Sequence, residues 1–196
     1  MPLSLLPLLG YLSGSFPFSI WITRLVKGVD VRDAGSHHAT TTNTIRQAGF
    51  GWGALVMILD IGKGFLPTWL AVTAGAPDWL VGMTAAAAVA GHCWPILAGF
   101  RGGMGLATAG GAFLATSPLG FAVLLGILIA LTLILKHGAR ASVITGLLFA
   151  PALWLVGLRG AVIWVGIFCG LVIAARFTID WRREYRELWL DRKPDV

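Results

Sequence analysis

Charge is scarce in this chain. Only 12% of its 196 residues are Asp, Glu, Lys or Arg, about half of what a water-soluble domain carries. Mean hydropathy is +0.80. So little charge argues against a soluble globular protein and for an integral membrane protein. Acidic residues are scarcer still, 9 against 15 Lys and Arg. In a soluble chain that imbalance would raise the question of nucleic acid. Here the cations collect in a few loops and at the C-terminus, which reads as membrane topology with no nucleic-acid partner. There are two cysteines, Cys93 and Cys169, in apolar surroundings and without CxxC or Cys/His spacing. They read as buried thiols rather than a disulfide or a metal site. His37 and His38 are adjacent, so they share no helix face and have no third ligand in view; no metal is expected. No basic region precedes the first apolar run, so no cleavable signal is expected. No repeat or low-complexity tract interrupts residues 1–196, which read as one membrane domain.

What the chain has in abundance is long apolar runs, at roughly 3–26, 50–74, 79–99, 105–117, 119–135, 142–157 and 160–175. Several approach the ~20 residues that cross a bilayer. The expectation is an all-α polytopic protein of about seven transmembrane helices, the fourth short and glycine-rich. Basic residues follow the first, third, fifth and seventh runs: Lys27, Arg32 and Arg46; Arg101; Lys136 and Arg140; then Arg176 through Lys193. The alternate loops are nearly bare. That asymmetry predicts the N-terminus outside and the C-terminus in the cytoplasm. It also brings the 27–49 loop, the stretch near Arg101 and the 136–142 turn to one membrane face.

Four places carry polar chemistry. Between Gly91 and Gly111 an apolar context holds Phe100-Arg101-Gly102-Gly103-Met104-Gly105. Glycines let backbone N–H groups approach an anion, a helix beginning just after would point its positive end there, and Arg101 adds a fork of donors. A tight turn with Arg101 at the headgroups fits the residues equally well. The 27–49 loop offers Ser36, Thr40, Thr41, Thr42, Asn43 and Arg46, suited to a polyhydroxyl or phosphate ligand, or to capping a helix. Asp60 and Lys63 lie inside an apolar run at i, i+3, either as part of a site or as a structural pair snorkelling toward the cytoplasmic side. Arg140 and Ser142 follow the fifth run, as ligand contacts or as anchor and cap. The nine tryptophans fit interfacial belts, and Trp181–Lys193 reads as a basic amphipathic segment on the inner leaflet.

In this order and spacing, the motifs resemble the bacterial acyl-phosphate:glycerol-3-phosphate acyltransferases, the PlsY family, of which the chain looks like a divergent member. Gly14-Ser15-Phe16-Pro17 is similar to the family's Gly-Ser-x-Pro. Gly28, Asp30, Arg32, Gly35 and Ser36, then Thr42, Asn43, Arg46 and Gly49, match its first cytoplasmic motif. Asp60, Lys63 and Gly64 match its Asp-x-x-Lys-Gly. Gly91, His92, Pro95, Phe100, Gly102, Gly103, Gly105, Ala107 and Thr108 match its Gly-His-x-x-Pro…Phe-Lys-Gly-Gly-Lys-Gly-x-Ala-Thr. Arg140 and Ser142 fall on an Arg-x-x-Ser-like turn. The departures are specific. The family's Gly-Ser-Gly-Asn-x-Gly-Ala-Thr-Asn stands here as Gly35-Ser36-His37-His38-Ala39-Thr40-Thr41-Thr42-Asn43. Arg101 replaces the first lysine of the later motif and keeps its charge, whereas Met104 replaces the second and removes it. The C-terminal His-Arg-x-Asn-Ile pattern is not recognisable in Arg176–Asp180.

The resemblance implies transfer of a fatty acyl group from acyl phosphate to the sn-1 hydroxyl of glycerol 3-phosphate, giving lysophosphatidic acid in phospholipid synthesis. It implies a multi-pass protein of the bacterial inner membrane with its site on the cytoplasmic face. An acyl phosphate is already activated, so no protein nucleophile, cofactor or metal is needed; holding the reactants and stabilising charge suffices. On this reading Ser36, Arg46 and His92 are the catalytic candidates. Gly35, Thr42, Asn43, Lys63, Arg101, Gly102, Gly103, Gly105, Arg140 and Ser142 would contact the two substrates. Membrane lipid is the surroundings, and no obligate protein partner is evident. The sequence leaves two rivals open: a non-catalytic paralogue binding a lipid or phosphorylated ligand, and a small-solute transporter.

Overall fold

The computed structural model describes residues 2–183. Among them every regular element is a helix. α1 (Leu6–Gly14) and α2 (Phe18–Lys27) together make the first apolar span, 3–27. They are separated at Ser15–Pro17, where proline cannot donate to the helix ladder. Gly28, at φ +71°, ends α2 in the left-handed conformation glycine favours. The following loop is not simply a connector: a 3-10 turn at Val31–Asp33 and the amphipathic α3 (Thr41–Ala48) organise it, Thr40 capping α3 by accepting from the Asn43 amide. Next come α4 (Phe50–Thr73), α5 (Asp78–Cys93), the short α6 (Leu106–Thr116), α7 (Pro118–Leu135), α8 (Gly138–Leu155) and α9 (Ala161–Thr178).

Six stretches among the described residues are long and apolar enough to cross a bilayer, and the shorter apolar α6 lies between the third and fourth of them, in the fourth position where a short segment is expected. At 1.5 Å per residue α6 rises only about 16 Å, roughly half the hydrocarbon thickness. It starts inside the protein. After the exposed Phe100 and Arg101 the chain turns inward, and Gly102, Gly103, Met104 and Gly105 are all buried.

α5 lies at the centre, packing on α1, α4, α6 and α9, while α7 is the most lipid-facing span and rests on α6 and α8. Small residues set the closest approaches. On the α4–α6 seam a Cβ at Gly64 would collide with the Thr108 carbonyl, and one at Gly111 with the Ile61 carbonyl. The same device joins Gly14 of α1 to Ala88 of α5. The apolar core runs through Val81, Ala85 and Val89 of α5 to Phe113, Phe149, Leu153 and Ile173, with Phe113 and Phe149 edge to face at 5.4 Å. Cys93 and Cys169 are both free and buried in this core. Residues 184–196 lie outside the described part, so the expected amphipathic segment is described only at residues 181–183.

Candidate functional site

A cavity of about 380 Å³ opens where the first loop, the start of α6 and the α7–α8 turn converge. One wall is polar, made by Ser36, His38, Thr40, Thr41, Thr42 and Arg46; the floor is Asp60 and His92. Met104, Gly105, Leu106 and Ala107 bring the start of α6 to it, and Gly138 and Ser142 come from α8. Met57, Leu128 and Phe177 supply an apolar side. The three polar segments expected on one face therefore do meet. Ser36, Thr42, Arg46, His92, Gly105 and Ser142 all line this one space.

The hydroxyls of Ser36 and Thr41 are buried and have no hydrogen-bond partner among the described residues. A buried hydroxyl without a partner costs free energy, and both residues belong to the wall of this cavity. Ser142 donates to the Gly138 carbonyl at 2.9 Å, which leaves its oxygen as an acceptor. Gly105, at φ +83°, precedes the first turn of α6 without any side-chain cap. The first amides of that helix have no intrahelical partner, and the helix start faces the cavity rather than bulk water, where its positive dipole end is least screened.

Several expected contacts lie elsewhere. Asn43 is fully buried and does not line the cavity; its Nδ2 donates to the Val31, Ala34 and His38 carbonyls at 2.6, 3.1 and 3.1 Å. Its Oδ1 accepts from the Ser36 amide at 3.4 Å. The side chain is the knot of the loop, and Gly35, at φ +64°, packs against it with no room for a Cβ. The Gly102 and Gly103 amides do not cradle an anion. They donate to the Cys93 and His92 carbonyls at 3.2 and 3.0 Å, satisfying the end of α5. Arg101 is exposed and outside the cavity, and its carbonyl accepts from Arg32 at 3.1 Å. Arg140 is exposed as well, its guanidinium 5.7 Å from the Trp181 ring centroid. Lys63 is buried beside the main cavity, not in it. Its Nζ pairs with Asp60 at 2.9 Å and donates to the Phe16 carbonyl at 3.0 Å, so it does not snorkel. Asp60 is shared with His92, whose Nδ1 stands 3.6 Å away.

Two networks hold the cavity's loops. On the outside, Asp30 binds Arg24 at 2.6 Å and Arg32 at 2.7 Å, and the Arg32 hydrogen bond holds its carboxyl well below the usual carboxylate range. Arg32 then donates to the Ala98 carbonyl at 2.9 Å, pinning the loop that leads to α6. On the inside, the last turn of α9 supplies Arg176, and the turn just beyond it Asp180 and Arg183. Arg176 Nε donates to the Gly103 carbonyl at 3.0 Å and Arg183 to the Ser36 carbonyl at 2.7 Å. Asp180 and His38 are 2.8 Å apart. Asp60, which the sequence offered either as part of a site or as half of a structural pair, lines the cavity, whereas the Asp180 cluster was not legible as part of the site. The available signal was a cation closing an apolar run, Arg176, with an acid four residues on. Among the described residues no three His, Cys, Asp or Glu side chains converge on a metal position.

A bundle of apolar helices with a buried helix start and a partly polar cavity opening among them defines a polytopic membrane protein with a site set within its helices. Comparison makes this specific. The glycerol-3-phosphate acyltransferase family profile matches residues 4–189. The enzyme of that name from Anaeromyxobacter dehalogenans (strain 2CP-C) is 39% identical over 189 residues, 90% of either chain. Its namesake from Parasynechococcus marenigrum is 36% identical over 173 residues, 88% of this chain and 81% of the relative. The namesake from Rubrobacter xylanophilus is 48% identical over 114 residues, spanning 58% of this chain and 57% of that one. The crystal structure of PlsY, an integral membrane glycerol 3-phosphate acyltransferase, in its glycerol 3-phosphate form superposes with a TM-score of 0.81 at 33% identity, covering 93% of this chain and 92% of that one. Its lysophosphatidic acid form gives 0.80 at the same identity, covering 93% and 91%. The chain belongs to the glycerol-3-phosphate acyltransferase family, and it is a membrane acyltransferase.

Proposed function

We propose that the 380 Å³ cavity is where an acyl group passes from acyl phosphate to the sn-1 hydroxyl of glycerol 3-phosphate. The observation that carries this reading is the buried, uncapped start of α6 opening onto the same space as Arg46 and the partnerless hydroxyls of Ser36 and Thr41. One phosphate belongs at the α6 amides, which favour an anion in a water-poor setting. Ser36, Thr41, Thr42 and Arg46 hold the polar acceptor, and the acyl chain runs along Met57 and Leu128 toward the lipid-facing α7.

The acceptor oxygen attacks the acyl carbonyl carbon. The carbon–oxygen bond to phosphate breaks, the bond's electron pair leaves with phosphate, and the hydroxyl proton ends on a phosphate oxygen. A mixed anhydride needs no covalent enzyme intermediate, so the protein's part is register and charge. His92 lines the floor close to Asp60, which fits an orienting role as well as a basic one. The site belongs on the cytoplasmic face of a bacterial inner membrane, where the basic loops lie by the positive-inside rule. PlsY has been crystallised in glycerol 3-phosphate and lysophosphatidic acid forms, which matches the acceptor and product named here.

The test is phosphate release by purified protein given palmitoyl phosphate, with and without glycerol 3-phosphate. Release that depends on glycerol 3-phosphate and falls at least a hundredfold in Arg46→Ala is expected. Release that ignores the acceptor, or no turnover by folded protein, overturns the reading in favour of a non-catalytic binder.

A further inference from the structure

We propose that His38 and Asp180 are positioning residues which, with Arg176 and Arg183, clamp Ser36 against the start of α6. The inference rests on the cavity being the substrate site. A guanidinium can only donate. His38 Nδ1, 3.1 Å from Arg176 Nη2, is therefore the acceptor, which places the imidazole proton on Nε2. That proton points at Asp180 Oδ2, 2.8 Å away. Arg183 Nη1 stands 3.1 Å from the same Nε2 and 3.8 Å from Asp180 Oδ1, so it abuts the imidazole edge and meets the carboxylate as an ion pair rather than through a hydrogen bond. Arg176 Nη1 lies 3.9 Å from the other carboxylate oxygen.

The outer arms of the two arginines reach backbone on opposite sides of the cavity. Arg176 bonds the carbonyl of Gly103, just before Met104, and Arg183 bonds the carbonyl of Ser36. Ser36 and the entry to α6 are thereby tied to one cluster, all four members of which belong to the protein interior or its margin. Ser36 is 9% exposed and its hydroxyl has no partner among the described residues, so the clamp, through the Ser36 carbonyl, fixes the backbone that carries that hydroxyl. An acid this near an anion site would repel substrate if unpaired. Enclosed by two guanidiniums and the imidazole N–H, the Asp180 carboxylate serves as their counter-charge instead.

The experiment is a double-mutant cycle on the full chain in detergent, reading KM for glycerol 3-phosphate and kcat separately. His38→Ala and Asp180→Asn are each expected to raise KM about tenfold, the loss of a charge-assisted bond, with kcat within about twofold. The double variant should be no worse than either single one. His38→Gln keeps a donor near the Nε2 position and is expected to recover most of the KM. Added to Ser36→Ala, His38→Ala should cost nothing further. Additive effects, or wild-type KM in His38→Ala and Asp180→Asn, overturn the clamp. If His38→Ala does not fold, His38→Gln near wild type with Asp180→Asn raised supports it, and equal KM in those two overturns it. Failure of the cavity reading itself looks different: Ser36→Ala and Arg46→Ala would then keep full activity.

Discussion

Single residues decide how this cavity handles charge, and Met104 is the sharpest case. It is 8% exposed and lines the cavity at a position where the related motif carries lysine. Met104→Lys would bury an unpaired cation next to the α6 start, so the substrate-free protein should lose about 3–5 kcal/mol. Glycerol 3-phosphate should restore it, and KM should fall. Thermal unfolding with and without glycerol 3-phosphate checks this; a variant as stable as wild type and indifferent to ligand contradicts it. His38 gives a pH dependence. Burial above all holds its imidazole below the ordinary 6.5, and Arg176 and Arg183 push the same way against Asp180. The neutral ring is the one that accepts from Arg176. The folded pKa being depressed, the clamp's contribution is complete above pH 6.5 and is lost as pH falls through the lower folded value. The acid limb of activity should therefore contain a step below pH 6.5 that is absent in His38→Gln. Asn43 shows the limit of reading residues one at a time: its amide is a substrate contact by composition and the centre of a loop by geometry.

At the scale of the helix, α4 and α6 act as one unit. Asp60 and Lys63 sit one turn apart on the inner face of α4, both nearly fully buried. Removing one partner leaves a charge without its counter-ion on a side chain that is nearly fully buried. Asp60→Asn is expected to cost about 3–5 kcal/mol, and Asp60→Asn with Lys63→Met distinctly less; unfolding midpoints in detergent separate the two outcomes. The α4–α6 seam has no slack where Gly111 meets the Ile61 carbonyl. Gly111→Ala should push α6 outward, cost about 1–3 kcal/mol and lower kcat, because the helix start that faces the cavity would shift. Gly126, in the lipid-facing α7 with open space around it, is the control: Gly126→Ala should stabilise slightly or change nothing. The i, i+3 spacing of Asp60 and Lys63 was legible in sequence. Whether the pair reached for solvent or turned inward was not, because that depends on the Phe16 carbonyl, 47 positions away, accepting from Lys63.

For the molecule as a whole, the loops matter as a set. The Asp30–Arg32 network fastens the first loop to the approach to α6 from outside, and the α9 cluster fastens both from inside. We propose a topology with the N-terminus outside and these loops in the cytoplasm, on the distribution of Lys and Arg. Cysteines introduced at exposed Arg101 or Arg140 should react with a membrane-impermeant thiol reagent only in inverted vesicles. A cysteine at exposed Gly75, in the α4–α5 turn, should react from the other side. The reverse pattern would move the site to the outer face.

By itself the sequence determined that the chain is a helical membrane protein, where its apolar helices run, which one is short, and which segments carry the polar chemistry. Those follow from local properties: hydropathy over a window, proline and glycine punctuation, and the cost of charge in lipid. The motifs also made the family legible. Tertiary structure decided which polar groups face the cavity and which are used up in building it. The Gly102 and Gly103 amides, Asn43 and Lys63 are taken by partners from other segments. Arg176, Asp180 and Arg183, remote in sequence, arrive at Ser36 and Gly103. A donor or acceptor shows its type in the sequence. Its partner is fixed only when helices far apart in the chain pack, and in an interior without water to bond the remainder, that pairing settles what is left for a substrate.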